Sequence, residues 1–456
     1  MTTTRQAHAR RTRPDRGPVD RRRITAAALS ALVPGLGQAA NRRWRVAAIF
    51  LVPSLLLALV AWAVIAGQSQ TRLIATLVVP ATLGALMLLN VLLLAWRGLS
   101  VVHAWADRRH PLPPGRAAVV GLAVVFALTA FPHAIAWQLG SAASDTFRTV
   151  FEDPDDPDGD PGEPVATPAP DERLNVLLVG VDRGGRRTQA LTDTLILASL
   201  DPVGRTLSLI SIPRDLTGVP LGNGDTFAPK INSLLAYANR TPAQFPDGGM
   251  RALQDAIGAL FGVPVHYYAL VDLAGFVTVI DAVGGVTVNV RTPLSDPAYG
   301  GYGVGPGWSI TTGVHHLDGP NALAYARIRR SPGESDFTRA RRQQQVLVAL
   351  RDQAVGQNLL FSLPSLLRAL GDTIRTDVPP AQLPSLAALA EEIDGSRTVR
   401  VVLNSPLIRR GPENSPYGYT LVADAERIRE MAEAVMPPPG EEPRWPLPSP
   451  SATPAP

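Results

Sequence analysis

The chain has 456 residues, with 43 Lys+Arg against 39 Asp+Glu and no cysteine, which excludes disulfide frameworks, Cys-based zinc sites and thiol chemistry. Its seven His are scattered and none stands at ligand spacing, so no His-rich metal site is expected. Lys230 is the only lysine; the basic chemistry is arginine chemistry, a bias typical of GC-rich genomes such as those of actinobacteria.

Residues 1–45 carry eleven Arg against Asp15 and Asp20 and read as a disordered basic tail. Aromatic interleaving is absent, so nucleic acid is not an expected partner. The run Ile24–Ala40 is broken by Pro34-Gly35 and reads as an interfacial or re-entrant piece rather than a crossing. Three longer runs, Val46–Gly67, Leu73–Trp96 and Ala117–Trp137, hold no charged residue, and each can span ~30 Å of hydrocarbon. Residues 46–140 are therefore expected to be three transmembrane helices in a multi-pass cell-membrane protein. The Arg-rich N-terminus and the loop containing Arg97, Arg108, Arg109 and Arg116 then lie inside, and everything after residue 140 lies outside the cytoplasm. No cleavable signal pattern is visible, so the chain is expected to stay anchored.

Residues 141–172 (with FEDPDDPDGDPGEP) read as an acidic, Pro-rich tether, and 437–456 as a Pro-rich disordered tail. From residue 141 onward there are 27 Lys+Arg and 36 Asp+Glu, so this region's net charge is 27 − 36 = −9. An acidic domain that binds a phosphate must do so with a local arginine cluster or a metal.

Within 173–436, Leu174–Gly180 is an apolar run like a buried strand, and Thr194–Leu200 and Thr206–Ile212 read as two more. Met250–Phe261 has helical spacing; Tyr267–Asp272 and Val286–Val290 are β-like around a helical Gly275–Val283, and Asp318 caps a helix NALAYARI. Alternating strands and helices predict an α/β domain around a central mixed sheet, with helices on both faces. Asp182 lies just past one strand end and Asp193 just before the next, so the two carboxylates can share a hard divalent cation, Mg²⁺ or Mn²⁺. Arg214, after a third strand, can point into the same crevice. Taken singly, the three also read as a turn former, a cap and a surface ion-pair partner.

The stretch Tyr325–Gln345 (YARIRRSPGESDFTRARRQQQ) concentrates six arginines. Arg327 and Arg329 are two apart, so an extended segment puts them on one face. Asp336 fits the N-cap of a following helix, on which Arg339, Arg342 and Gln343 share a face. Guanidinium forks match phosphate oxygens, so a phosphorylated ligand is the natural partner; a solvated basic face is the plainer reading.

Seven ordered pieces of residues 173–355, namely NVLLVGVD, LTDTLIL, SIPRD, KINSLLAYA, DLAGFVTVIDAVGGVTV, LDGPNALAYARIR and SDFTRARRQQQ, resemble the LytR-CpsA-Psr family of cell-envelope proteins. The resemblance implies an extracytoplasmic phosphotransferase that moves a glycopolymer from a polyprenyl-pyrophosphate carrier to peptidoglycan. It implies that Asp182 and Asp193 serve the metal, and that Arg214, Arg327, Arg329, Arg339 and Gln343 line the pyrophosphate. Asp182, Asp193 and Arg214 would be the catalytic set, with Lys230, Asn232, Asp336 and Arg342 in support. A non-catalytic carrier-binding envelope sensor and a carrier pyrophosphatase are the alternatives. Two departures from the family pattern concern loop geometry: Ser335 and Thr338 replace glycines around Asp336-Phe337, and Leu191 stands where a basic residue is usual, for which Arg186 or Arg187 could substitute.

Overall fold

The computed structural model describes residues 17–107, 113–151, 168–169, 171–182, 191–356, 374–393 and 395–444. Expectations for residues 1–16, for most of the acidic tether, for Arg186 and Arg187 and for the last twelve residues lie outside the described residues. The chain divides into two compact units, Met1–Gln68 with Ala81–Ala142, and Ser69–Pro80 with Ala143–Pro456.

The N-terminal third is helical: α1 (Gly17–Leu32), α2 (Leu36–Ala40), α3 (Trp44–Ala66), α4 (Gln70–Val78), α5 (Pro80–Trp105) and α6 (Arg116–Phe151). The basic segment before residue 45 is thus ordered from Gly17, against the expectation of a disordered tail. The break between α1 and α2 falls at Gly35, whose φ of 105° is open to glycine and strained for other residues. Ser30, Gln38 and Ser100 close a buried hydrogen-bonded group across the break. Three helices are long and apolar enough to cross a membrane: Trp44–Ala66, Pro80–Trp105 and Arg116–Thr146. Their outward faces carry exposed large apolar side chains such as Leu56, Trp62, Leu88 and Phe131, which no described residue covers and which suit a hydrocarbon solvent.

Two boundaries differ from expectation. The second apolar run is not one helix from Leu73: Val79 takes an extended conformation (φ −60°, ψ 127°) because Pro80 disfavours helix at the residue before it, so α4 and α5 are separate. The third continues as helix to Phe151, through the first part of the expected tether.

The second unit is built on a six-stranded mixed sheet. Its strands are β1 (Leu174–Asp182), β2 (Leu191–Asp201) and β3 (Thr206–Ile212), followed in the chain by β4 (Leu216–Pro220), β5 (Thr226–Lys230) and β6 (Tyr267–Asp272). Further strands are β7 (Val286–Val290), β8 (Leu294–Asp296), β9 (Trp308–Ile310), β10 (Gly313–Leu317), β11 (Ile374–Thr376), β12 (Thr398–Val402), β13 (Ile408–Arg410) and β14 (Leu421–Ala423). The central order is β11-β6-β1-β2-β3-β12; β1 and β2, β2 and β3, and β6 and β11 are antiparallel, and β1 and β6, and β3 and β12, are parallel. A smaller sheet runs β13-β14-β4-β5.

Alternating side chains bury both faces of the sheet. Leu177, Val179, Leu195, Leu197 and Ile210 pack with α7 (Leu234–Arg240), α8 (Gly248–Phe261) and the helix Ala425–Val435. On the other face, Ile196, Ala198 and Leu209 meet Leu347 and Val348 of α11 (Asp336–Gly356). The α/β class with helices on both faces agrees with expectation. A second core joins α9 (Leu273–Ala282), α10 (Gly319–Arg327), β7, β10 and α11 through Ile280, Val288, Tyr325 and Val346.

Candidate functional site

The site starts at one end of the central sheet. β1 runs on to include Asp182, and β2 begins at Leu191, so both aspartates belong to strands rather than to the turns beside them. The β1/β2 register pairs Gly180 with Thr194 but Val181 with Thr192, which leaves Asp193 as the extra residue of a β-bulge. Bulges re-aim a side chain at a strand end. A Cβ on Gly180 would lie only 3.0 Å from the Thr194 Cβ, so glycine lets β2 approach closely there. Arg214 follows β3 and reaches back to Asp193, Nη1 to Oδ1 at 2.5 Å.

The arginine stretch is a helix, a turn and a helix, not the extended segment and strand–helix junction the spacing suggests. Arg327 is the last residue of α10, capped at its start by Asp318, whose side chain accepts from Asn321 N–H. It crosses to β1, where Nη2 meets Asp182 Oδ2 at 3.0 Å. α11 is capped by Ser335 rather than Asp336: Ser335 Oγ accepts from Thr338 N–H at 3.2 Å, and Thr338 Oγ1 accepts from Ser335 N–H at 2.8 Å. Asp336 is thereby free to face Arg339, with Oδ1 2.6 Å from Nη1, and to stand 3.9 Å from Arg329 Nη2.

The helix phase then separates residues the sequence grouped. Arg339 and Gln343 line a pocket with Asp193, Arg214, Asp336 and Phe337. Arg342 does not join them. It is buried against Tyr325 and Ile328 carbonyls and Glu334, and fixes the turn between the helices. The three consecutive glutamines diverge likewise. Gln344 is buried and donates to Leu209 O, Ser211 Oγ and Val401 O, pinning α11 to β3 and β12. Gln345 bonds Tyr325 Oη and Asn289 O. Arg330 and Arg341 are solvent-exposed, as the plainer reading of a basic face has it.

Electrostatics distinguish these arginines. Burial pulls the Arg214 guanidinium down, but Asp193, Asp215 and Asp336 more than offset it, and it is held above its ordinary range. Arg339 is pulled down to about 10, by burial first and then by repulsion from Arg329 and Arg214, with Asp336 and Asp193 opposing. Its Nη1 is buried and makes no hydrogen bond: Asp336 is close enough for an ion pair but off the N–H direction. A buried guanidinium with one poorly aligned, partly exposed carboxylate and two like charges beside it is a place for an anion. Arg329 is lowered by burial and by Arg214.

Among the described residues no three His, Asp or Glu side chains converge as a metal set. Asp182 and Asp193 are hard oxygen donors on neighbouring strands, each partly exposed. That pair fits a cation which keeps water or phosphate oxygens in its shell, and does not make a closed cage.

Lys230 binds Asp215, Nζ to Oδ1 at 2.7 Å, and Asn232 donates its backbone N–H to Arg214 O at 3.3 Å, so both brace the Arg214 turn. Sequence reasoning missed Asp215, the hub of that brace, although it stands in the SIPRD motif. It also missed Tyr302, whose ring lies 5.9 Å from the Arg327 guanidinium. A lone aromatic set between glycines, Gly301-Tyr302-Gly303, was the available signal, and the residue's φ of 53° shows how tightly that loop turns.

A family model described as the LytR_cpsA_psr family matches residues 146–432. The chain belongs to the LytR_cpsA_psr family. The matched region takes in every site residue named above. An Enterococcus faecalis protein named polyisoprenyl-teichoic acid–peptidoglycan teichoic acid transferase TagU is 29% identical over 209 residues, covering 45% of this chain and 62% of that protein. The Staphylococcus aureus (strain Mu50) regulatory protein MsrR is 32% identical over 213 residues, covering 46% and 58%. This LytR_cpsA_psr chain thus matches about 60% of the length of those curated relatives. A crystal structure of B. subtilis TagV aligns with a TM-score of 0.46 at 24% identity, covering 58% of this chain and 96% of that one.

Proposed function

We propose that this LytR_cpsA_psr protein is a membrane-anchored phosphotransferase that moves a glycopolymer from a polyprenyl-pyrophosphate carrier onto peptidoglycan. The observation that carries the reading is the pocket in which Arg214, Arg339 and Gln343 converge beside Asp193, with the buried Arg339 guanidinium repelled by Arg329 and Arg214 and balanced only by the partly exposed Asp336. The names of relatives such as TagU supply the substrate class. The three apolar helices supply the anchor, and the Arg-rich segments at residues 42–45 and 97–116 would keep the catalytic unit outside the cytoplasm.

In this reading the pyrophosphate takes the place of carboxylates as the arginines' partner. Arg214 and Arg327, tied to Asp193 and Asp182 without ligand, turn to phosphate oxygens, and Arg339 donates its unused N–H. Arg329 and Gln343 complete the cradle. Asp182 and Asp193 would hold Mg²⁺ or Mn²⁺, which supplies neutralising charge at the pyrophosphate. The acceptor hydroxyl oxygen forms a bond to the glycan-side phosphorus and gives up its proton to water. The phosphoanhydride P–O bond breaks, and its electron pair leaves with the polyprenyl phosphate. Arginines already fixed around that phosphate stabilise the developing charge at little reorganisation cost.

The test uses the full chain in detergent with a short-chain polyprenyl-pyrophosphate glycan, a divalent cation and peptidoglycan fragments. Release of polyprenyl phosphate and mass gain on the acceptor are followed together, with Asp193→Ala alongside. Coupled release and gain, lost in the variant, is the expected result. Release without acceptor gain would point to hydrolysis, and tight binding without turnover to a sensor.

A further inference from the structure

β13 and β14 are joined by the loop 411–420, GPENSPYGYT. Its base is closed by Gly411 N–H donating to Thr420 O at 2.9 Å, and the next residue, Leu421, donates to Asp215 O at 2.9 Å. Leu421 is in register with Arg410 on one side and Leu216 on the other. The parallel β14/β4 pairing and the antiparallel β13/β14 pairing therefore bring this loop out at the sheet end that carries Arg214 and Asp215. Two strand spacings, about 10 Å, separate β13 from β4.

This loop and the strand that feeds it have the chemistry of a surface awaiting a ligand. Among the described residues of the second unit, five large apolar or aromatic side chains are exposed, and two of them are Tyr417 and Tyr419, 41% and 51% exposed. Arg409 and Arg410 are also exposed, and neither forms an ion pair with a described residue. Instead the Arg410 guanidinium lies over the Tyr419 ring, 5.8 Å from its centroid. Arg409 and Arg410 thus have no carboxylate partner among the described residues, in a region whose net charge is −9. Tyrosine rings offer flat faces to the apolar faces of sugar rings, and guanidiniums take carboxylates in fork geometry. A ligand combining both features is an acidic glycan.

We propose that Arg409, Arg410, Tyr417 and Tyr419 dock the acceptor glycan, a carboxylate-bearing polysaccharide strand of the peptidoglycan kind, beside the pyrophosphate pocket. The assignment rests on the proposed transferase reading and gives its acceptor a place. The strand crosses the loop with its hydroxyl directed toward the Arg214 end of the sheet.

The experiment measures retention of the full chain, in detergent, on insoluble peptidoglycan stripped of its other polymers. Affinity for inorganic pyrophosphate is measured in parallel. Arg409→Ser with Arg410→Ser, and separately Tyr417→Ala with Tyr419→Ala, should each weaken retention ~10-fold, the size of one lost charge-assisted or stacking contact, and leave pyrophosphate affinity unchanged. Arg240→Ser, an exposed arginine on α7, should change neither. Peptidoglycan with its carboxyls amidated should hold the unaltered chain as weakly as natural peptidoglycan holds the arginine variant. Wild-type retention in both paired variants would overturn the proposal, as would an equal loss in Arg240→Ser. Patch-dependent retention by a chain that binds no pyrophosphate would leave the docking surface standing and sink the transferase reading.

Discussion

Arg339 and Arg342 lie one turn apart on α11, both almost fully buried, in surroundings of opposite kind. Behind the pocket, Arg342 is knotted to Glu334 and to the carbonyls of Tyr325 and Ile328, with its guanidinium 5.6 Å from the Tyr325 ring. At the pocket, Arg339 has one partly exposed aspartate off its hydrogen-bonding direction and two arginines nearby. The first is a charge whose desolvation is offset inside the protein. The second is offset only when something anionic arrives. Burial alone does not mark function; what separates the two is charge balance, with a buried Glu334 on Arg342 and only the partly exposed Asp336 on Arg339, which also stands beside Arg214 and Arg329.

The comparison breaks most visibly at the knot. Arg342→Met leaves the Glu334 carboxylate, whose side chain is 9% exposed, without its counter-charge and with the Thr338 hydroxyl as its remaining donor among the described residues, and removes the donor from two carbonyls. Loss of one partner of a buried pair costs ~3–5 kcal/mol, so thermal unfolding followed by circular dichroism should show a clearly lowered midpoint. Arg339→Gln should do the reverse. Turnover should fall ~10²–10³-fold, as for removal of one preorganised donor, while the unfolding midpoint holds or rises because a repelled buried charge is gone. If both variants unfold alike, the distinction between the two arginines fails.

Much of the frame was legible in the sequence, and for a plain reason. The apolar-rich runs Thr206–Ile212 and Tyr267–Asp272 are strands of the central sheet, and the alternating VTVNV of Val286–Val290 is a strand with one face buried; the ends of all three match the observed ones. The strand ends at Asp182 and Asp193 were misread. Asp182 and Asp193 look like turn residues, yet each is held in extended conformation by the neighbouring strand, and the bulge at Asp193 has no local signature. The arginine cluster was visible as composition, but not its phase. Ser335 and Asp336 are both good caps; Thr338 decides for Ser335, and that one-residue choice is what leaves Asp336 facing Arg339. The reach of Arg327 to Asp182, 145 positions away, is tertiary information that no local pattern carries.

A carboxylate sharpens the same contrast at a smaller scale. Asp377 accepts Tyr268 N–H at 2.6 Å and Gln254 Nε2–H at 3.1 Å, so its oxygens are satisfied by hydrogen bonds, with no ion pair among the described residues. Burial pushes its pKa from 3.8 up to about 6. The folded chain therefore holds this proton more tightly than the unfolded one. The stabilisation is full below about pH 4, is lost as pH rises toward about 6 and is flat above that. Asp377→Asn keeps an acceptor for Tyr268 and removes the titration. It should raise stability at pH 7 by ~1–2 kcal/mol and flatten the slope between about pH 4 and 6. Unfolding midpoints across that range in both proteins provide the check. An unchanged slope would mean that satisfied hydrogen bonds suffice to keep a buried carboxylate ionised.

The smallest effect bears on how Asp336 is kept for Arg339. Ser335→Ala removes the Ser335 Oγ that accepts from Thr338 N–H, leaving only the backbone N–H of residue 335 on Thr338 Oγ1, and the loss of a side-chain cap costs ~1 kcal/mol. Asp336 is itself a good capping residue, so α11 can restart one position later with the Asp336 carboxylate on a backbone N–H. Taking it there removes the one aspartate among the described residues that is within ion-pair distance of Arg339. The variant should thus lose a little stability while its pyrophosphate affinity rises, because Arg339 has less of a partner to give up. In the background of Asp336→Asn the cap loss should cost the same stability but leave affinity unmoved. Additive effects on affinity would show instead that the two residues act independently, and that the cap has no part in holding Arg339 ready.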